Sequence, residues 1–186
     1  TRRYWSLPTP WSAAESSPPA LSFSKSLQAQ RHSKFMAAAV RSARAGMKCG
    51  HGGPFGACIA INGKSIAVAH NTVLKSCDAT CHAEINAIRE ASRKLKTPFL
   101  RDAVIYSTTE PCPMCFAAIH WARIPKVVYG TSIADVKRRG FNELSIANSH
   151  LKKLGRSPVQ IRKGFLRSEC MTLLKEWDSL ETRQTY

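Results

Sequence analysis

Two short runs, His82-Ala83-Glu84 and Pro111-Cys112-Pro113-Met114-Cys115, constrain this chain most, because they lie far apart yet carry groups that make chemical sense only together. Cys112 and Cys115 stand one helical turn apart at the start of an expected helix, where unpaired N–H groups and the helix dipole favour negative sulfur. Alone, their C-x-x-C spacing fits a redox pair as well as a metal site. His82 and Glu84 open a second expected helix. If the two helix mouths converge, one imidazole and two thiolates give three ligands to a tetrahedral Zn2+ ion. A fourth position is left open, as catalysis requires and closed structural sites lack.

The apolar spacing predicts elements that could bring those mouths together. Phe35, Ala39, Val40, Ala43 and Met47 predict a helix from Phe35 to Met47, with Gly46, Gly50, Gly52 and Gly53 as breakers. Phe55 to Ile61 and Ser65 to His70 read as antiparallel strands around the tight-turn pair Asn62-Gly63. A polar loop with Asn71, Asp78 and Thr80 follows. Ile85, Ile88, Ala91 and Leu95 then mark a helix beginning near His82. Ala103 to Ser107 is an expected strand, Ala117 to Trp121 a helix, and Val127 to Gly130 a strand after Pro125. Val159 to Arg162 reads as a last strand, and Leu166, Cys170, Leu173, Leu174, Trp177 and Leu180 as an amphipathic helix. This interleaving predicts an α/β fold, a three-layer α-β-α sandwich with one mixed sheet covered by helices on both faces.

That domain is expected over residues 34–186. Residues 1–33, with Pro8, Pro10, Pro18 and Pro19, many serines, Arg2 and Arg3, and Glu15 as the only acid, read as an arm without a core of its own. Such a composition also fits the remnant of an organellar targeting segment, so a mitochondrial location is one expectation and a cytoplasmic one the other. An arm of this kind needs something to hold it: its own domain, a second copy, or a larger assembly containing RNA. The seven cysteines form no evenly spaced framework, which points to a reducing compartment. No apolar run is long enough to span a membrane, so no membrane partner is expected.

Glu84, beside the ligands, suits a proton shuttle, taking protons as a base and returning them as an acid. Cys81 is the serious rival ligand, but adjacent Cys81 and His82 cannot easily point the same way from a helix start. Cys49, Cys58, Cys77, Cys81 and Cys170 are therefore assigned to core or surface, as are His51, His70 and His120. The complete set H-x-E…P-C-x-x-C is the known zinc deaminase signature.

On these residues, and on Gly52-Gly53-Pro54-Phe55-Gly56-Ala57, Trp121-Ala122-Arg123 and Gly140-Phe141-Asn142-Glu143, the sequence resembles the cytidine deaminase-like superfamily from about Phe35 to Trp177. Within it, the similarity is greatest to the guanine deaminase and nucleoside deaminase branch. The resemblance implies a zinc-dependent aminohydrolase with a nucleobase or nucleoside as partner, guanine or guanosine favoured, working as a homodimer. It implies His82, Cys112 and Cys115 as metal ligands and Glu84 as the catalytic acid and base, with Glu143 assisting. Asn71, Phe55, Ala83, Trp121 and Asp135 would contact substrate, although core packing explains Phe55 and Trp121 equally well.

The sequence also resembles tRNA adenosine deaminases through HAEINAIR and the last helix. It departs from them where they show a V-P-V-G type segment and this chain has Gly53-Pro54-Phe55-Gly56. A net charge of +16 keeps RNA open as a partner. From Asp135 to Arg167 nine Lys or Arg face two acids, though a solvated surface explains this as well. The alternatives are thus an RNA adenosine deaminase, or a deaminase-fold subunit of an organellar ribonucleoprotein complex with a mainly structural role.

Overall fold

The computed structural model describes residues 20–186, apart from the side chains of residues 20–29 and 31. The chain opens on helix α1, Ala20–Lys48. It begins well before the expected start at Phe35, because residues 20–34 contain neither Pro nor Gly and Pro19 directly precedes them, a common helix-start signal. The helix thus crosses the expected boundary at residue 33; the rest of the Pro/Ser-rich arm, residues 1–19, lies outside the described residues.

Strands β1, Gly56–Ile61, and β2, Lys64–His70, form the expected hairpin. Asn62 and Gly63 both take positive φ, 49° and 75°, as a two-residue turn matched to strand twist demands. There follow α2, Val73–Ser76; α3, Ala83–Leu95; β3, Ala103–Thr109; α4, Pro113–Trp121; and β4, Lys126–Thr131. The chain continues through α5, Ile133–Lys137; α6, Asn148–Leu154; β5, Gln160–Arg162; and α7, Arg167–Asp178. The sequence reading did not anticipate α2, α5 or α6; each is too short for apolar periodicity to register.

The strands join one mixed sheet in the order β2-β1-β3-β4-β5. β1 runs antiparallel to β2 and β3, while β3, β4 and β5 are parallel. Side chains alternate across the sheet. Ala57, Ile59, Ile105, Val127 and Tyr129 pack on the face covered by α3 and α4. Cys58, Ala60, Tyr106 and Val128 pack on the opposite face, against Phe35, Met36, Ala39 and Val40 of α1 and Cys170 of α7. Two glycines permit this closeness: a Cβ on Gly56 would lie 2.1 Å from the Ala39 carbonyl oxygen, and one on Gly130 would lie 2.3 Å from Cys170 Sγ. An arginine fork then ties the outer helices, with Arg44 Nε and Nη2 donating to the two Glu176 oxygens at 2.6 and 2.8 Å. The three-layer sandwich expected from the sequence is the fold observed.

Candidate active site

The parallel pair β3 and β4 delivers the chain to the C-terminal edge of the sheet, where open α/β sheets place their ligands. There the starts of α3 and α4 meet. His82 and Cys112 occupy the two N-cap positions in extended conformation, and Pro113 begins α4. Neither side chain makes the usual capping bond to its own helix, so each is free to turn toward a common point.

They do converge. Cys112 Sγ lies 3.6 Å and Cys115 Sγ 3.5 Å from His82 Nδ1, and the three donor atoms all fall within 4.8 Å of one another. Zinc bonds of about 2.0 to 2.3 Å at tetrahedral angles set sulfur and nitrogen donors about 3.6 Å apart, so the trio fits that ion. The Cys115 thiol, hydrogen-bonded to Cys112, holds Cys112 down to about 4 against the effect of burial. The same pairing and burial push Cys115 up. Burial works against protonation of His82, but the Cys112 thiolate and the Glu84 charge carry it above its ordinary value. The rival Cys81 faces elsewhere, its thiol 3.3 Å from Asp78 Oδ2.

Glu84 lies in the first turn of α3, 6% exposed. The Ser107 hydroxyl, on β3, donates to its Oε1 at 2.8 Å, and Cys115 Sγ stands 3.5 Å from its Oε2. Burial, reinforced by the Cys112 thiolate, raises the Glu84 carboxyl above the usual range. Beside this cluster opens a cavity of about 300 Å³, lined by His82, Glu84, Phe55, Phe141, Glu143 and Tyr186, among others. Phe55 and Phe141 meet edge to face with centroids 5.0 Å apart. Burial, with the Cys112 charge, pushes Glu143 up to about 7.

The other expected substrate contacts divide. Asn71 lies behind the wall, its Oδ1 accepting from the Tyr186 hydroxyl at 2.6 Å and from the Val73 N–H at 3.1 Å, while its buried Nδ2 has no partner. Ala83 is fully buried between His82 and Glu84. Trp121 sits at the far end of α4, 77% exposed and outside its own chain's cavity lining. Asp135 is also outside it. Its carboxylate caps α5 through Ser132 and accepts from Arg167 at 2.6 and 3.0 Å and from Arg138 at 2.5 Å.

Sequence reasoning missed Ser107, Glu110 and Tyr186. A serine inside the apolar strand AVIYSTT was a readable signal for Ser107, and the TEPC run carried Glu110 unremarked. Tyr186 belongs to no motif. Its hydroxyl accepts from the Gly53 N–H at 3.0 Å, and burial pushes its ionisation up.

The profile of the cytidine and deoxycytidylate deaminase zinc-binding region matches residues 29–131. The chain is 44% identical over 112 residues to a guanine deaminase of Bacillus subtilis, covering 60% of this chain and 72% of the relative. It is 36% identical over 124 residues to a tRNA-specific adenosine deaminase of Buchnera aphidicola, covering 67% and 79%. A solved guanine deaminase from Nitrosomonas europaea superposes with a TM-score of 0.72 at 28% identity, covering 78% of this chain and 84% of that one. With three ligands converging beside a buried glutamate, and with these similarities, the chain belongs to the cytidine and deoxycytidylate deaminase zinc-binding family and is a zinc-dependent deaminase.

Proposed function

We propose that the chain hydrolyses the exocyclic amine of a purine base or nucleoside, with guanine favoured. The observation that carries this reading is the cavity of about 300 Å³ beside the ligand trio, at the small end of the range for ligand sites and walled by Phe55, Phe141 and Tyr186. Relatives of both kinds stand at similar identity, 44% for a guanine deaminase and 42% for a tRNA-specific adenosine deaminase, so the cavity carries the choice. Phe55 borders the base, Asn71 fixes Tyr186 in the wall, Ala83 packs between His82 and Glu84, and Trp121 and Asp135 stand outside this chain's own cavity.

His82, Cys112 and Cys115 would hold zinc, which when bound lowers the pKa of a water molecule toward neutrality. Glu84, oriented by Ser107, takes the two protons of the attacking water in turn, passing one to a ring nitrogen and the other to the amine that leaves as ammonia. Glu143, held near 7, stands in the same cavity as a second proton donor. A homodimer accompanies this reading, because α4 carries no Asp, Glu, Lys or Arg yet leaves Trp121 in the open.

One observation favours a second reading, deamination of adenosine in RNA: the net charge of +16, together with the tRNA deaminase relative. The intact ligand set and Glu84 argue against a purely structural role in a ribonucleoprotein particle. The basic arm supports a mitochondrial address, which microscopy of a full-length fusion protein would check. The deciding experiment is ammonia release by zinc-loaded protein from guanine, guanosine, adenosine, adenine, cytosine, cytidine and tRNA. Turnover of guanine with none on tRNA supports the first reading; the reverse result overturns it.

A further inference from the structure

We propose that Glu110 is a positioning residue that ties the segment bearing Glu143 to the metal-binding end of α4, holding Glu143 toward the cavity. The inference rests on the proposed deamination reading for its kinetic consequence, but its geometry stands independently.

Glu110 lies between β3 and Cys112, 7% exposed, and is among the residues at the wall of the cavity. Both carboxylate oxygens are taken. Oε1 accepts from the Asn148 N–H at the start of α6 at 2.9 Å, and Oε2 from the Ile133 N–H at the start of α5 at 3.4 Å. The Tyr129 phenol faces the same carboxylate; its ionisation is pushed up by burial first and then by the Glu110 charge. Among the described residues no lysine or arginine forms an ion pair with Glu110. A buried carboxylate without a cation is unfavourable unless it accepts hydrogen bonds, and here backbone donors from two separate helices supply one to each oxygen.

What those donors flank explains the arrangement. Between α5 and α6 the chain has no regular structure from Phe141 to Ala147, yet Phe141, Asn142 and Glu143 wall the cavity. One end of this segment is held by the Asn142 N–H donating to the Tyr186 carbonyl at 3.1 Å. The other end is held at Asn148, fully buried, whose N–H meets Glu110 and whose Nδ2 donates to the Pro111 carbonyl at 2.6 Å. Pro111 directly precedes the ligand Cys112. Glu110 and Asn148 therefore fasten the Glu143 segment to the backbone that presents the metal ligand. With both oxygens engaged on protein N–H groups, Glu110 acts through Glu143 and not on substrate.

The test compares wild type and Glu110→Gln as full-length, zinc-loaded protein. The amide replaces one acceptor with a donor that faces an N–H, so the tie loosens. Hydrogen exchange of residues 141–148 is expected to quicken by about tenfold or more, with α3 and α4 unchanged. Unchanged exchange there overturns the proposal whatever the substrate. With guanine, kcat is expected to fall by about tenfold or more while KM moves by less than about threefold. In a Glu143→Gln background the same substitution is expected to cost less than about threefold more. Fully multiplicative losses, or a Glu143→Gln protein with wild-type kcat, overturn it. If wild type does not act on guanine, the substrate reading fails and hydrogen exchange still decides this one. If Glu110→Gln yields no folded zinc-loaded protein, Asn148→Ala, which cuts the Pro111 arm of the same tie, is measured against the same thresholds.

Discussion

Glu84 combines two properties rarely found together in a surface carboxylate: burial, which lifts its proton affinity, and a fixed direction, imposed by the Ser107 hydroxyl. A proton shuttle needs both. Glu84→Gln is expected to keep zinc, since the ligands are untouched, and to lower kcat by about 10² to 10⁴. Ammonia release beside a zinc assay checks it; loss of metal in parallel with activity would move Glu84 from chemistry to site assembly. Metal removal gives a complementary expectation. Chelation should abolish turnover and lower the thermal midpoint, and stoichiometric zinc should restore both, because the ion would tie His82 at the start of α3 to Cys112 and Cys115 of α4. The HAE and PCxxC runs made this much of the site legible, since zinc chemistry demands those donors. Tyr186 and Glu110 were not legible in the same way: what they touch depends on chain segments far away in sequence, and no local spacing encodes that.

At the scale of elements, Asp135 illustrates how a short helix is held where periodicity gives no warning of it. The α5 helix has only 5 residues, yet Asp135 closes a capping box with Ser132 while gripping Arg138 and Arg167, so α5 is pinned to the start of α7. Long elements such as α3 and α7 were readable because their apolar faces repeat; α5 is held by its capping box and ion pairs and α6 by the distant Glu110 carboxylate on its first N–H, which sequence spacing does not reveal. The Arg167 guanidinium holds the Asp135 carboxyl well below the usual range, against its burial, with Ser132 helping. Its folded value is thus below the unfolded value of about 3.9, so its contribution is complete above about pH 4 and is lost as pH falls through the folded value. Asp135→Asn is expected to cost about 2 kcal/mol at pH 7, less than the loss of a fully buried pair because both guanidinium groups are partly in water. Urea unfolding of both proteins at pH 7 and pH 3 checks the sign: the gap must narrow at the lower pH.

For the whole molecule, charge and apolar surface pull in opposite directions, and salt separates them. Two copies each carrying +16 repel, so a dimer has to meet on a charge-free face. The outer side of α4 is such a face: no acidic or basic chain interrupts Pro113–Trp121 apart from His120, Trp121 is 77% exposed, and Leu154 of neighbouring α6 is 70% exposed. Association through it should strengthen as salt rises, because screening removes repulsion while apolar burial persists. RNA binding to the Lys and Arg surface should do the reverse, weakening steeply as counterions compete. Sedimentation of the protein alone, and filter binding of tRNA, both at about 50 and 500 mM salt, where the Debye length falls from well above to well below about 10 Å, read the two tendencies separately. Trp121→Glu is expected to abolish self-association at either salt and leave RNA retention largely as it was. A monomer at both salt levels would remove the dimer from the account, and tRNA retention indifferent to salt would remove the basic surface as the reason for it.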